Sequence, residues 1–307
     1  MKNVLKGILA AFGLLVAYLL LWPLGVDPVV WEAPTAPELV GTFAPNDYLK
    51  DREVLGLNDG IGPEDIAVDD EGNMYAPYED GRVIKYDVFG KSQGVYANTE
   101  GRPLGLDFDA MGNLIIADAI KGLLSVDKQN NITVLSTESD GIEFKFTDDV
   151  DIGTDGKIYF SDASSGFDIH NYRVDLMVHR PLGRLLVYDP TTKMTTTLLS
   201  GLYFANGVAV SPNGEYVLVN ETSEYRVTKY WLKGDKAGQS EMIIENLPGF
   251  PDGISSNGKG VYWVAFPAKR KAIIDNLAGK PFLRKIVLRL PESAQPAPDQ
   301  HGFVLGI

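Results

Sequence analysis

The sequence predicts an all-β fold: a β-propeller of five or six blades, carried behind one N-terminal transmembrane helix. Three observations predict it. An uncharged apolar run opens the chain, a strand–turn–strand unit recurs five times after it, and acidic or amide residues recur at one point of most repeats.

The opening run, GILAAFGLLVAYLLLWPLGV from Gly7 to Val26, is twenty residues without a charge. As a helix it spans about 30 Å, the thickness of a hydrocarbon core. A cleaved signal peptide is the alternative, but its apolar region is usually shorter, about 7–15 residues, and no clean small-x-small cleavage site follows here. Lys2 and Lys6 precede the run, and Asp27, Glu32 and Glu38 follow it. The positive-inside rule therefore places the N-terminus in the cytoplasm and the remainder in the periplasm or outside the cell. The domain division is anchor 1–26, an extended proline-containing tether 27–45, and a propeller 46–307.

The repeats are Ile66–Ala76, Leu106–Ala117, Val150–Phe160, Val208–Val219 and Ile254–Ala265, spaced by 40, 44, 58 and 46 residues. Each reads as an alternating strand, a glycine-containing tight turn and a second apolar strand, the pattern of a hairpin. Third strands follow at Arg82–Tyr86, Leu123–Val126, Arg184–Tyr188 and Arg226–Tyr230, with edge stretches such as Ile132–Leu135 and Thr195–Leu199. Four short antiparallel strands at that period are the signature of a propeller. No sustained 3.6-residue period supports a helical solenoid, and no Gly-His…Trp-Asp pattern supports the WD40 variety.

Composition removes other classes. With 41 acidic against 28 basic residues and a net charge of −13, the chain lacks the basic face that nucleic acid requires. It has no cysteine, so thiol chemistry, disulfides and zinc-thiolate sites are excluded, and three histidines make a histidine-rich metal site improbable on counting alone.

The residues ahead of each first strand are Pro63-Glu64-Asp65, Pro103-Leu104-Gly105, Thr147-Asp148-Asp149, Ala205-Asn206-Gly207 and Pro251-Asp252-Gly253. First strands line a propeller's axis, so Glu64, Asp148, Asn206 and Asp252 are expected to converge there. Three carboxylates and an amide oxygen suit Ca²⁺ better than a soft metal. The plainer alternative is that these polar residues cap the entries of ordinary hairpins, Asp-Gly and Asn-Gly being common turn formers.

These motifs, with Gly183-Arg184-Leu185-Leu186-Val187-Tyr188-Asp189-Pro190 and Leu247-Pro248-Gly249-Phe250-Pro251-Asp252, resemble the strictosidine synthase-like family over roughly residues 55–305. The resemblance implies a six-bladed propeller in the superfamily of gluconolactonases and paraoxonases, calcium-dependent hydrolases of esters and lactones. It puts Glu64, Asp148, Asn206 and Asp252 at the metal-ligand positions, Asp148 replacing the usual asparagine. It makes Asp252, and secondarily Asp148, the general base. Leu104 stands where paraoxonases carry a histidine, which disfavours their mechanism. The resemblance also implies further strands after Phe282-Leu283-Arg284…Phe303-Val304-Leu305 to finish a sixth blade, so the chain reads as shortened at its C-terminus.

The expected function is therefore a membrane-anchored, calcium-dependent hydrolase of a small carboxylic ester or lactone. A non-catalytic, membrane-tethered binding or scaffold propeller is the alternative. A strictosidine synthase-type amine–aldehyde condensation is third, because the family's terminal glutamate has no counterpart. Smaller features are a long Ser161–Gly183 loop with His170 and His179, read as lid or solvated loop residues. Asn131-Ile132-Thr133 and Asn220-Glu221-Thr222 match the glycosylation pattern. Phe266–Phe282 reads as an amphipathic helix with a basic patch, and Ile286-Val287-Leu288 as a short strand.

Overall fold

Asp69 shows how the repeats fold. Its carboxylate accepts hydrogen bonds from the Glu71 and Asn73 amides at 3.0 and 2.8 Å, closing the turn after the first strand. Asp87, Asp109 and Asp127 repeat the device at later turns. A side chain that mimics a backbone turn fixes the reversal, and the flanking alternation then sets which face is buried.

A computed structural model describes residues 1–299 and 301–307. Its first sheet is β1 (Ala67–Val68), β2 (Met74–Pro77), β3 (Arg82–Tyr86) and β4 (Ser92–Asn98); its second is β5 (Pro103–Phe108), β6 (Leu114–Asp118), β7 (Gly122–Val126) and β8 (Ile132–Ser136). A small hairpin of β9 (Glu138–Ser139) and β10 (Ile142–Glu143) precedes the third sheet. That sheet is β11 (Thr147–Ile152), β12 (Ile158–Asp162), β13 (Gly183–Asp189) and β14 (Met194–Leu202). The fourth is β15 (Ala205–Val210), β16 (Tyr216–Glu221), β17 (Arg226–Trp231) and β18 (Ser240–Ile244), and the fifth is β19 (Ile254–Ser256), β20 (Tyr262–Phe266) and β21 (Phe303–Gly306). Every sheet is an antiparallel meander in chain order.

The core lies between blades. Tyr75 and Val83 of the first blade pack with Leu114 and Ile116 of the second. Ile115 and Leu123 pack with Phe160 and Leu186 of the third. Leu185 and Leu202 pack with Val208 and Val217 of the fourth, and Leu218 and Val227 with Val264 and Phe266 of the fifth. Each fully buried aliphatic or aromatic side chain contributes about 1.5–3 kcal/mol, so blade-to-blade contact is the dominant stabilising term.

The propeller expectation holds, but the described residues form five blades, not six. Phe303–Leu305, expected to lead into a sixth blade, is instead taken up by the fifth. Phe303 pairs with Phe266 and Leu305 with Val264, and the Phe266 and Phe303 rings stack at 4.4 Å.

Two helical expectations also change. Phe266–Phe282 is not one helix, because Gly279 and Pro281 divide it into α3 (Ala272–Leu277) and α4 (Pro281–Leu288). Ile286-Val287-Leu288 consequently lies in α4 and is not a strand. In the Ser161–Gly183 loop, α2 (Tyr172–Val178) forms.

At the N-terminus, α1 (Lys2–Leu21) is twenty residues with none of them buried, a helix long and apolar enough to cross a membrane. The segment after it runs extended along the propeller. Val29 N–H donates to Val178 O at 3.0 Å, and Trp31 stacks on His179 at 4.1 Å. Arg270 donates to Pro34 O and Asn246 to Thr35 O. His179 is accordingly buried, not a solvated loop residue. Its Nε2 lies 2.9 Å from Glu224 Oε1, and burial lowers its pKa.

Candidate active site

Antiparallel meanders place the start of each inner strand and the connection between second and third strands at one end of the propeller. Glu64 and Asp252 just precede β1 and β19, while Asp148 and Asn206 lie at the starts of β11 and β15. The α2 and α3–α4 connections cover the same end.

Asn206-Gly207 is not a turn. It lies inside β15, and its glycine permits close approach: a Cβ at position 207 would sit 2.4 Å from Asp252 O. Gly207 N–H donates to that same oxygen at 3.0 Å. The Asn206 side chain then reaches Asp252, with Nδ2 donating to Oδ1 at 2.6 Å.

Glu64, Asp148 and Asp252 lie near enough for their charges to act on one another. Burial, followed by the Asp252 charge, pushes Glu64 up to about 8, although its side chain is 30% exposed at the rim. Burial and then Glu64 and Asp252 raise Asp148 well above the ordinary carboxylate range. Burial also raises Asp252, to about 6, and Asn206 opposes the rise. These are the shifts that desolvation and like-charge proximity produce. Arg102, 3.8 Å from Glu64, supplies the nearby positive charge.

Sequence reasoning missed two residues. Arg102 immediately precedes Pro103-Leu104-Gly105, but nothing in its spacing indicates an inward turn. Asn220 falls in a glycosylation pattern, yet it is fully buried and donates to Asp252 O at 2.5 Å. Thr222 donates to Pro251 O at 2.7 Å, completing the clamp on that loop.

A second tier of aspartates lies further along the inner strands. Leu106 N–H donates to Asp65, Ile152 N–H to Asp107, Val208 N–H to Asp149 and Val210 N–H to Asp151, at 2.7–3.0 Å. Each aspartate thereby joins its blade to the next. This tier, with Val208 and Trp263, lines an axial cavity of about 400 Å³. The Glu64–Asp252 tier lies at the cavity's end and does not line it.

Among the described residues no ready-made cage of three carboxylate or imidazole groups is assembled for a cation. The donors nonetheless fit a hard cation chemically. They are all oxygen, and Asp148 Oδ2 and Asn220 Oδ1 are buried acceptors without partners. Mutual repulsion among the carboxylates is what a divalent charge relieves.

Comparison with known proteins follows this geometry. Residues 41–86 match the family model of the strictosidine synthase-like N-terminal region, and residues 148–235 that of strictosidine synthase. Protein STRICTOSIDINE SYNTHASE-LIKE 6 of Arabidopsis thaliana is 38% identical over 266 residues, covering 85% of this chain and 70% of that protein. The adipocyte plasma membrane-associated protein of Bos taurus is 37% identical over 289 residues, covering 87% and 69%. Two solved structures share the fold. A gluconolactonase from Xanthomonas campestris has a TM-score of 0.57 at 16% identity, covering 68% of this chain and 71% of its own. A regucalcin from Agrobacterium tumefaciens, described as calcium-binding, has a TM-score of 0.54 at 15% identity, covering 67% and 68%. The extent and level of identity to the curated relatives show that the chain belongs to the strictosidine synthase-like family.

Proposed function

We propose that this protein is a membrane-anchored hydrolase of small carboxylic esters or lactones, with its site at Glu64, Asp148, Asn206 and Asp252. The observation that carries the reading is the setting of Asp252. Its backbone is clamped by Asn220, its Oδ1 is held by Asn206, and its carboxyl is pushed up to about 6. Such a group is ionised at neutral pH yet basic enough to take a proton, which suits a general base.

Asp252 Oδ2, the oxygen not engaged by Asn206, is the atom that accepts the proton of the attacking water. Asn206 fixes the orientation of that carboxylate, and Arg102 moderates the charge on Glu64. Glu64, Asp148, Asn206 and Asp252 are the residues that would hold Ca²⁺. When bound, the cation supplies Lewis-acid polarisation of the substrate carbonyl. The lactonase name of a structural relative supports the chemistry by analogy of fold alone.

The apolar helix α1 serves as the anchor, with Lys2 and Lys6 cytoplasmic and the propeller on the far side. The membrane association named for the bovine relative supports this placement.

The test is a panel of aryl esters and lactones offered to the wild type and to Asp252→Ala, with and without chelator. Turnover that disappears in the variant and on chelation supports the reading; turnover retained by the variant overturns it. The Arg102–Glu64 pair favours a second reading, since it neutralises part of the cluster without a cation. In that case the propeller is a binding module, and no member of the panel is hydrolysed.

A further inference from the structure

The end of α1 is built into the propeller. Arg289 donates from Nη1 to Leu19 O at 2.9 Å and from Nε to Trp22 O at 2.8 Å, while Tyr18 Oη donates to Arg289 O at 3.2 Å. A helix leaves its last carbonyls unsatisfied, and a cation there also meets the negative end of the dipole. Arg289, itself buried, supplies both.

The chain leaving α1 stays attached. Arg180 donates to Asp27 O, Lys285 pairs with Asp27, and Arg284 donates to Val29 O and Met177 O. The tether therefore does not swing freely; α4 is held at the depth where α1 ends.

One side of α4 faces away from the propeller. Arg284 turns to Met177 O and Val29 O and Arg289 to the end of α1, and both are buried, while Phe282 and Leu283 are 55% and 40% exposed. Ile286 and Val287 extend that stripe by the i, i+4 rule and are half-buried. Ile273 of α3 is also exposed. Beside them Lys269 and Lys280 have no ion-pair partner among the described residues, on a chain of net charge −13. Apolar side chains flanked by unpaired lysines, fixed at the end of a membrane-spanning helix, match the interfacial zone of a bilayer.

We infer that α3 and α4 form a second membrane contact that rests on the bilayer interface and turns the Glu64–Asp252 end of the propeller toward the lipid. The occupant of this surface is the bilayer itself, reached as a continuation of α1. The inference rests on α1 spanning the membrane, as proposed above.

The absence of cysteine permits a direct test. The full chain is reconstituted in phosphatidylcholine–phosphatidylglycerol vesicles with one environment-sensitive label, at Leu283→Cys, at Leu15→Cys within α1, or at Met111→Cys. Met111 is exposed in the β5–β6 turn, at the opposite end of the propeller. The label at position 283 is expected to blue-shift and to lose emission to a lipid-resident quencher, as a helix buried at the headgroup–acyl boundary does. The label at 15 is quenched as strongly, and that at 111 responds only to an aqueous quencher. A lipid-exposed label at 15 with an aqueous one at 283 overturns the docking and leaves the anchor intact. An aqueous label at 15 overturns the anchor and the docking together. Phe282→Cys repeats the measurement one residue away, so an effect of the label on folding is separated from placement.

Discussion

Asn220 Nδ2 donates to the backbone carbonyl of Asp252 at 2.5 Å, from a side chain wholly shielded from solvent. The contact joins the second strand of the fourth blade to the entry of the fifth. It determines where the Asp252 carboxyl stands relative to Asn206. Asn220→Ala removes the donor and leaves a buried carbonyl with one fewer partner, a loss of about 1–3 kcal/mol in denaturant unfolding. If the clamp positions the base, kcat falls further than KM changes. A variant with lowered stability but unchanged kcat would show the clamp to be structural only.

Asp175 makes a prediction with a definite sign. It lies in α2, its Oδ2 has no hydrogen-bond partner, and burial, with Asp162 adding repulsion, pushes it up to about 7. A folded-state value above the unfolded one favours the protonated native form. Its stabilisation is therefore complete below about pH 4 and is lost as pH rises through 7, by about 4 kcal/mol in all. Asp175→Asn mimics the protonated carboxyl. Unfolding measured from pH 4 to pH 8 should show a shallower decline for the variant than for the wild type; parallel curves would remove this assignment.

Arg184 and Asp162 form a buried ion pair, with Nη2 to Oδ2 at 2.6 Å and side chains 5% and 0% exposed. The Asp162 carboxyl still lies above its ordinary value, because desolvation outweighs the arginine's attraction. Removing one partner is consequently far worse than replacing both. Arg184→Leu strands the carboxyl and costs about 3–5 kcal/mol, whereas adding Asp162→Leu recovers part of the loss. A double-mutant cycle followed by thermal unfolding checks the order; a double variant worse than the single one contradicts it.

Much of the fold was legible because its signals are local. The Asp69 and Asp109 turns and the alternation around them specify strands whose partners lie a few residues away. What required the chain's three-dimensional path was less visible. The burial of His179 depends on Trp31, nearly 150 residues earlier, stacking on its ring. The α4 segment reads as a strand by composition, yet Pro281 at its first turn starts a helix that Arg284 and Arg289 hold against the tether. The blade count turned on whether Phe303 paired with Phe266 or opened another sheet, and no local pattern decides that. Of the site, Glu64, Asp148, Asn206 and Asp252 were read from their repeated position. Asn220 and Arg102 were not, because each acts on a residue from another blade.

The acidic tier supplies the last prediction. Glu64 and Asp148 are raised by burial and by neighbouring carboxylates, so without a cation the native state favours their protonated forms, and a divalent cation would displace those protons and offset the charge. A ligand bound only by the folded state stabilises it by about 2.7 kcal/mol at one hundred times its dissociation constant. Calcium is therefore expected to raise the thermal midpoint in a concentration-dependent way, and chelation to reverse the rise. Asp148→Ala/Asp252→Ala removes two of the four donors, and its midpoint should no longer respond. Magnesium, which demands a tighter octahedral shell, should give a smaller shift at equal concentration. A midpoint indifferent to calcium in the wild type would mean that the carboxylates share protons and the Arg102 charge instead, and the cation-dependent hydrolase would fall with it.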